Sequence, residues 1–452
     1  LMKQFSTIPV FIIVQLFFMP VGLLPGELSN PMIGPLVGYT DSESTIIWAR
    51  VPSAGYYTAE YKKFGHRKWQ AIESEAVEAN DLCLTWKVKY LEPNTKYQYR
   101  IMAGNSNAKL RFKRIRKMLG NQSAIMAEGE EYYFKTSPDI NTASRVSIAF
   151  GSGAKDDDGS RAVWDRIASS NVDAVILLGD TPYIDSTILD VQRRRYREFS
   201  SITEFQNLMR STPFLGTWDD HDFGANDSDG LLPGKENSLK AFIEYRPNKS
   251  FGDGNEGVYT KLRYGPVEIF LLDTRWWSWT GPSFADSTKK TLLGNLQWQW
   301  LTEALRSSDA SFKLIACGMI WDDKENREKD DWGTYLYERD ALFSYIGKEK
   351  IPGVILIGGD IHVSRVLRYK TEEQIGYPLY QFITSPIHGK VIPSLNVPHP
   401  DLIRDAVHPH TFMKITVDTM VKPAILVAEF IDKDGERLFE DVKVNVEQLS
   451  AQ

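Results

Sequence analysis

The sequence predicts a small all-β sandwich followed by a larger α/β domain. Two observations carry this expectation. Residues 31–137 alternate short β-rich runs with turn residues, which is the spacing of an antiparallel sandwich. After Asn141 the runs become continuous apolar stretches that each end in a polar cluster, several of them separated by helix-like segments. Strands buried on both faces have this pattern, and ligands collect at the carboxyl ends of strands in open α/β sheets.

Taken in order, the chain opens with a lone Lys3, an apolar run from Ile8 to Leu24 and a polar exit at Glu27–Asn30. These features predict a signal peptide over residues 1–29. Pro9 and Pro20 interrupt the run, which is short for a full span and so disfavours an uncleaved anchor. No cysteine follows it, so the usual lipid-attachment signal is excluded. The expected location is outside the cytoplasm, whether periplasmic, extracellular or cell-surface, and no later stretch is apolar enough to span a membrane.

Residues 30–138 are expected to form the sandwich, with strands at Ser44–Val51, Tyr56–Tyr61, Leu82–Val88 and Tyr97–Ala103. Leu91-x-Pro93-x-Thr95-x-Tyr97-x-Tyr99 is similar to the tyrosine-corner stretch of fibronectin type III domains. The basic run KLRFKRIRK at 109–117 is expected to be a solvated hairpin or loop ahead of a polyanion patch.

Residues 144–450 are expected to form the α/β domain. Its apolar runs are Val146–Phe150, Ala174–Leu178, Pro213–Trp218, Val267–Leu272, Phe312–Ala316 and Val354–Ile357. Helices are expected at Ser160–Ser169, Val191–Phe199, Leu296–Leu305 and Glu338–Ile346. The tail from Ala424 to Val446 is expected to be a hairpin turning at Asp434-Gly435.

Composition narrows the function. A chain of 452 residues, 42% hydrophobic and 25% charged, is neither disordered nor fibrous. A net charge of −6 argues against a specific nucleic-acid partner held by bulk charge. Two cysteines, Cys83 and Cys317, cannot build a disulfide framework or a four-cysteine zinc site.

Three clusters combine carboxylates with histidine or tyrosine: Gly179-Asp180-Thr181-Pro182-Tyr183, the stretch Trp218–Asp227, and Gly359-Asp360-Ile361-His362. Each follows an apolar run, so folding can bring all three to one rim. A single Asp after a strand is usually a turn or cap residue, but three such clusters are harder to explain that way. Asp, Asn, His and a Tyr phenolate suit Fe, Mn, Zn, Mg or Ca. Two cations sharing one Asp would hold a phosphoryl group and lower the pKa of a bound water, giving a hydroxide nucleophile. A nearby imidazole would protonate the leaving oxygen.

With these motifs in place, the chain resembles the alkaline phosphatase D (PhoD-like) branch of the metallophosphoesterases. The carriers are LLGDTPYIDS (177–186), TWDDHDFGANDSDG (217–230), LLDTRWW (271–277), TLLGNLQWQWL (291–301) and GGDIHVSR (358–365). The resemblance implies a four-layer α/β/β/α catalytic core and a secreted hydrolase of phosphate mono- or diesters. It implies divalent or trivalent metal ions, calcium and iron first, manganese and zinc next. By position, Asp180 would bridge two metals and Tyr183 would be a phenolate ligand. Asp220, Asp360 and His362 would be further ligands, with Asn226 and Asp227 as candidate second-metal ligands or supports. His221 would contact phosphate as general acid, and Arg275 would clamp it.

One departure stands out. The family has a cysteine ligand in a GSC sequence after the first strand, and this chain has Gly151-Ser152-Gly153. Ser152 or one of Asp156, Asp157 and Asp158 are candidate substitutes; all four fit loop and capping roles as well. Two other functions therefore stay open at this point: a decayed site that binds phosphate or polyanions, and a two-metal nuclease. His388, His399, His408 and His410 are read as residues of a long Pro-rich rim loop, and no single one of them is singled out as a site residue.

Overall fold

The computed structural model describes residues 32–104, 130–322 and 324–451. The expected leader at 1–29 and the basic run at 109–117 lie outside the described residues. Among the described residues, no helix is long and apolar enough to cross a membrane.

The first unit contains β1 (Ile33–Thr40), β2 (Ser44–Arg50), β3 (Gly55–Lys63), β4 (Gln70–Ala76), β5 (Cys83–Lys89), β6 (Lys96–Ala103) and β7 (Tyr132–Lys135). They pair as two antiparallel sheets, β1-β2-β5 and β4-β3-β6-β7. Alternating side chains such as Ile47 and Ala49 on β2 and Leu84, Trp86 and Val88 on β5 fill the space between the sheets, against Tyr57, Ala59, Tyr99 and Phe134. The tyrosine corner forms: the Tyr97 hydroxyl accepts the Glu92 amide at 2.9 Å.

The second unit begins with β8 (Arg145–Gly151), β9 (Ala174–Leu178), β10 (Phe214–Thr217), β11 (Thr260–Tyr264), β12 (Val267–Leu271), β13 (Phe312–Ala316) and β14 (Val354–Gly358). It ends with β15 (Ser364–Tyr369), β16 (Leu379–Ile383), β17 (Leu402–Ala406), β18 (Thr411–Asp418), β19 (Ile425–Asp432) and β20 (Val442–Asn445). One mixed sheet has the order β10-β9-β8-β18-β19-β20 and the other β11-β12-β13-β14-β16-β15-β17. Strands β8, β9 and β10 run parallel, as do β12, β13, β14 and β16.

The continuous apolar runs are explained by burial on both faces. On β9, Ala174, Ile176 and Leu178 join the core cluster that also holds Ile269, Leu314 and Ile355 of the second sheet. Val175 and Leu177, the alternate residues, pack with Trp164, Tyr196, Phe199 and Phe205 from flanking helices. Leu301, Leu305, Leu342 and Ile346, from helices Gly294–Ser307 and Leu336–Lys348, pack with the second sheet. The result is the expected α/β/β/α layering, preceded by small all-β sheets. The C-terminal hairpin also forms, with β19 and β20 antiparallel and the Gly435 amide on the Asp432 carbonyl.

The two units share a polar and aromatic seam. Trp48 Nε1 donates to the Glu244 carbonyl at 2.7 Å. Arg193 and Arg197, from the basic stretch 193–197, reach across: Arg193 pairs with Glu244 and also donates to the Ala79 carbonyl. The centre of the seam is Asp81, which accepts from Arg50 at 3.2 Å, from Arg197 at 2.7 Å and from the Tyr245 hydroxyl. Burial pushes its carboxyl up, but the hydrogen bonds and charges of these partners more than offset that and leave it below the ordinary range.

Asp81→Ala is therefore expected to destabilise the protein by about 3 kcal/mol at neutral pH, because Arg50 and Arg197 lose a shared partner. A depressed carboxylate contributes stability above its unfolded pKa and loses it as pH falls through the folded one. Thermal unfolding should thus show the gap between wild type and variant full at pH 7 and closing below pH 3.8.

Candidate active site at the strand ends

All three clusters lie at the carboxyl ends of parallel strands. Asp180 follows β9, Asp219 to Asp222 follow β10, and Asp360 and His362 follow β14. The two sheets are joined at this edge: Thr217 Oγ1 donates to the Leu272 carbonyl at 2.7 Å, and Trp218 Nε1 to Asp273 Oδ1 at 2.8 Å. Gly179, at φ +94°, lets the chain turn under Asp219, whose amide nitrogen would lie 2.4 Å from any added Cβ. Asp180, Asp360 and His362 themselves hold left-handed backbone at φ +53°, +64° and +55°. Such residues cost about 1–3 kcal/mol each and concentrate at functional sites.

Asp180, Asp220 and His221 offer ligand atoms that all lie within 4.8 Å of one another, as do Asp220, Asp227 and Asp330. His221 is oriented by Asp185, whose carboxylate sits 2.5 Å from Nδ1. A carboxylate there fixes the proton on Nδ1 and leaves Nε2 as the working nitrogen. The His221 amide lies 3.3 Å from Asp180 Oδ1, and the Asp227 amide donates to Asp220 Oδ2 at 2.8 Å. Asn226 sits on the exposed turn just ahead of Asp227.

This edge concentrates negative charge. Burial, followed by the carboxylates of Asp220, Asp219, Asp222 and Asp360, holds Asp180 well above the ordinary carboxyl range. Burial and the Asp330 and Asp220 carboxylates lift Asp360 to about 7, despite the opposing Lys324 ammonium. Burial and Asp330 push Asp227 up to about 6. Asp220 is also buried, yet the Arg275 and His221 charges bring it below the ordinary value.

Tyr183 stands in a different setting. Its hydroxyl lies 3.0 Å from His362 Nε2 and 2.9 Å from His388 Nε2. His388 Nδ1 accepts the Lys390 amide at 3.0 Å. His388 Nε2–H therefore donates to Tyr183, and the Tyr183 hydroxyl donates on to His362. Burial drives both histidines down, His362 to about 4 and His388 to about 3, so both are neutral at pH 7. Gly153 borders this group: a Cβ built on it would lie 3.4 Å from the Tyr183 hydroxyl and 3.5 Å from His388 Nε2. The side of Tyr183 that would face a cysteine at 153 is thus faced by a histidine from the loop after β16. His388, which was not singled out among the histidines of the 388–410 region, thus stands against Tyr183 and His362.

Arg275 also differs from expectation. It is 1% exposed, with Nε and Nη2 on Asp219 Oδ1, Nη2 3.5 Å from Asp330 and Nη1 donating to the Ser228 carbonyl. Its fork holds buried carboxylates in place instead of facing a phosphate. The LLDTRWW and LLGNLQWQWL motifs build its seat. Asp273 accepts the Arg275 and Trp276 amides at 2.9 Å each, while Gln297 brackets Asp273 from both sides of its peptide. Among the candidate cysteine substitutes, Asp157 caps the helix Asp158–Ser169 through the Ser160 amide, Asp156 pairs with Arg161, and Ser152 donates to the Thr384 carbonyl. Cys317 is fully buried, with its thiol 3.2 Å from the Met319 carbonyl.

Two further residues enter from the loop after β13. Lys324 Nζ lies 2.7 Å from both Asp360 and Asp330. Beside Asp227 and Asp330 opens a cavity of about 410 Å³, with Arg275, Arg327 and Trp279 also on its wall.

The model of the PhoD-like phosphatase family matches residues 148–414, more than half of the chain and all three clusters. The chain belongs to this family. Alkaline phosphatase D of Bacillus subtilis (strain 168) is 24% identical over 324 residues, 61% of this chain and 52% of that protein. The chain thus spans about half the length of this curated relative. The solved structure of PhoD aligns with a TM-score of 0.71 at 19% identity, covering 95% of each chain. The purple acid phosphatase PPD1 from yellow lupin seeds aligns at 0.66 and 13% identity, over 92% of this chain and 74% of its own. These two likenesses place the PhoD-like chain in the metallophosphoesterase fold.

Arg275→Met should cost the PhoD-like chain about 3–5 kcal/mol in urea unfolding, since Asp219 and Asp330 lose a buried counter-charge. Adding Asp219→Asn should recover about 1–2 kcal/mol of this through their coupling; strictly additive losses would contradict the geometry.

Proposed function

We propose that the protein is a metal-dependent phosphoesterase that hydrolyses phosphate esters at the Asp180–Asp220–His221 edge. The observation that carries this reading is the convergence of those three ligand-bearing side chains, in a family of phosphatases. The residues fit a metal ion. Asp220 Oδ1 is buried without a hydrogen-bond partner, and the donor set is the oxygen and nitrogen chemistry of Fe, Mn, Zn, Mg or Ca. Asp180 and Asp220 are the side chains proposed to hold metal, with Asn226 and Asp227 in support; of the other expected ligands, Asp360 pairs with Lys324, and Tyr183 and His362 are hydrogen-bonded to each other. The metal, when bound, supplies Lewis acidity toward the phosphoryl oxygen and acidifies water.

The chain's own residues do the rest. Asp185 holds the His221 ring so that Nε2 can deliver a proton to the leaving oxygen as the ester bond breaks. His388 donates to Tyr183 and fixes the direction of its hydroxyl. Arg275 keeps Asp219 and Asp330 in place, and the cavity beside Asp227 accommodates the ester's organic group. The apolar run at residues 8–24 supports secretion as part of the same reading.

The test is hydrolysis of nitrophenyl phosphate and bis-nitrophenyl phosphate by purified protein with Ca, Fe, Mn or Zn supplied. His221→Ala should lower kcat about 10²–10⁴-fold, and the loss should be smallest for the nitrophenolate leaving group, which needs little protonation. Asp180→Asn should abolish turnover with the fold intact by circular dichroism. Full turnover in Asp180→Asn, or none in wild type with any of these metals, would overturn the proposal.

A further inference from the structure

The acidic edge already contains a cation of its own. Lys324 is 2% exposed, and its ammonium is shared among Asp330 and Asp360 at 2.7 Å and Glu328 at 3.2 Å. An ammonium this deeply buried is tolerated only when paired, and here it meets three carboxylates. Its backbone is pinned as well: the Lys324 amide donates to Asp331 Oδ2 at 2.9 Å, and the other Asp331 oxygen accepts the Thr334 amide at 2.9 Å. The Trp332 amide closes the loop on the Ile320 carbonyl at 3.1 Å.

The charges divide accordingly. Asp219 is matched by Arg275, and Asp330 is shared between Arg275 and Lys324. Asp360 has Lys324. Asp180 has no cationic side chain within ion-pairing distance among the described residues, and the nearest Arg275 nitrogen to Asp220 is 3.9 Å away. The Asp220–Asp227–Asp330 group is a second place where a metal ion fits by distance, but Asp330, one of its members, already holds the lysine. A divalent ion there would face the ammonium across a single carboxylate, in a setting where burial weakens screening.

We propose that Lys324 is the resident cation of the Asp330–Asp360 half of the site, so that the chain binds one metal ion, at Asp180 and Asp220 beside His221, where a dinuclear site would bind two. This rests on the metal-dependent reading above and deepens it. Lys324 acts here as a positioning residue and sets metal stoichiometry.

The test is calorimetric titration of metal-stripped full-length protein with Mn²⁺, alongside Lys324→Met, Lys324→Arg and Asp180→Asn. Wild type and Lys324→Arg should each take up one ion per chain, Lys324→Met two, and Asp180→Asn none. Lys324→Met should also melt lower than wild type in chelator and regain more than wild type does when Mn²⁺ is added, because the second ion replaces the lost ammonium. The wild-type stoichiometry does not depend on whether any variant folds. Two ions per wild-type chain, with ester hydrolysis intact, would overturn the Lys324 assignment and leave the phosphoesterase reading standing. One ion in a folded Lys324→Met would overturn the assignment too. No uptake by any of the four proteins would overturn both readings.

Discussion

The structure depends on one electrostatic constraint: a set of buried carboxylates that the carboxyl ends of two sheets force together. Asp180, Asp219, Asp220, Asp222 and Asp330 are buried and Asp360 is half-buried, and like charges at low dielectric repel strongly. The fold holds them with the cationic groups it has. Arg275 and Lys324 are nearly inaccessible to solvent, and each bridges carboxylates from different loops. The charge left over at Asp180 and Asp220 is what makes the edge attractive to a cation, and the left-handed backbone at Asp180 and Asp360 shows how tightly these loops are held.

Seen this way, motifs that look catalytic divide into two kinds of work. LLGDTPY and WDDHD deliver side chains to the open edge. LLDTRWW and LLGNLQWQWL build the support, because Asp273 and Gln297 lock the loop that carries Arg275 against Asp219. The sandwich contributes no described residue to the edge, but its seam through Asp81, Trp48 and Glu244 braces the helices Leu189–Ser200 and Lys235–Tyr245 beneath it.

Much of the architecture was legible from local pattern. The runs Ala174–Leu178, Val267–Leu272, Phe312–Ala316 and Val354–Ile357 are strands at nearly the expected bounds, since a strand buried on both faces leaves an unbroken apolar signal. The helices Thr203–Met209 and Lys235–Tyr245 and the strands β15 to β18 were not singled out. Of these, β18 takes its place from long-range pairing, with β8 on one side and β19 on the other. His388 was passed over although the run Leu379–Ile383 ends in a polar cluster as the others do; its place among proline-rich loop residues hid that signal.

By itself the sequence determined the sandwich followed by an α/β domain, the strand-end clusters and the chemistry of their donors, because hydrophobic period and residue type are local properties; the four-layer order was implied by the family resemblance. Only the tertiary structure decided how those donors are partnered. Arg275 turned inward to Asp219, His388 came to face Tyr183 beside Gly153, and Lys324, from a charge-mixed loop with no motif, settled between Asp330 and Asp360. Such pairings join residues as distant in sequence as Tyr183 and His388. They are set by which loops the two packed sheets bring to one edge, and by the need of each buried charge for a partner.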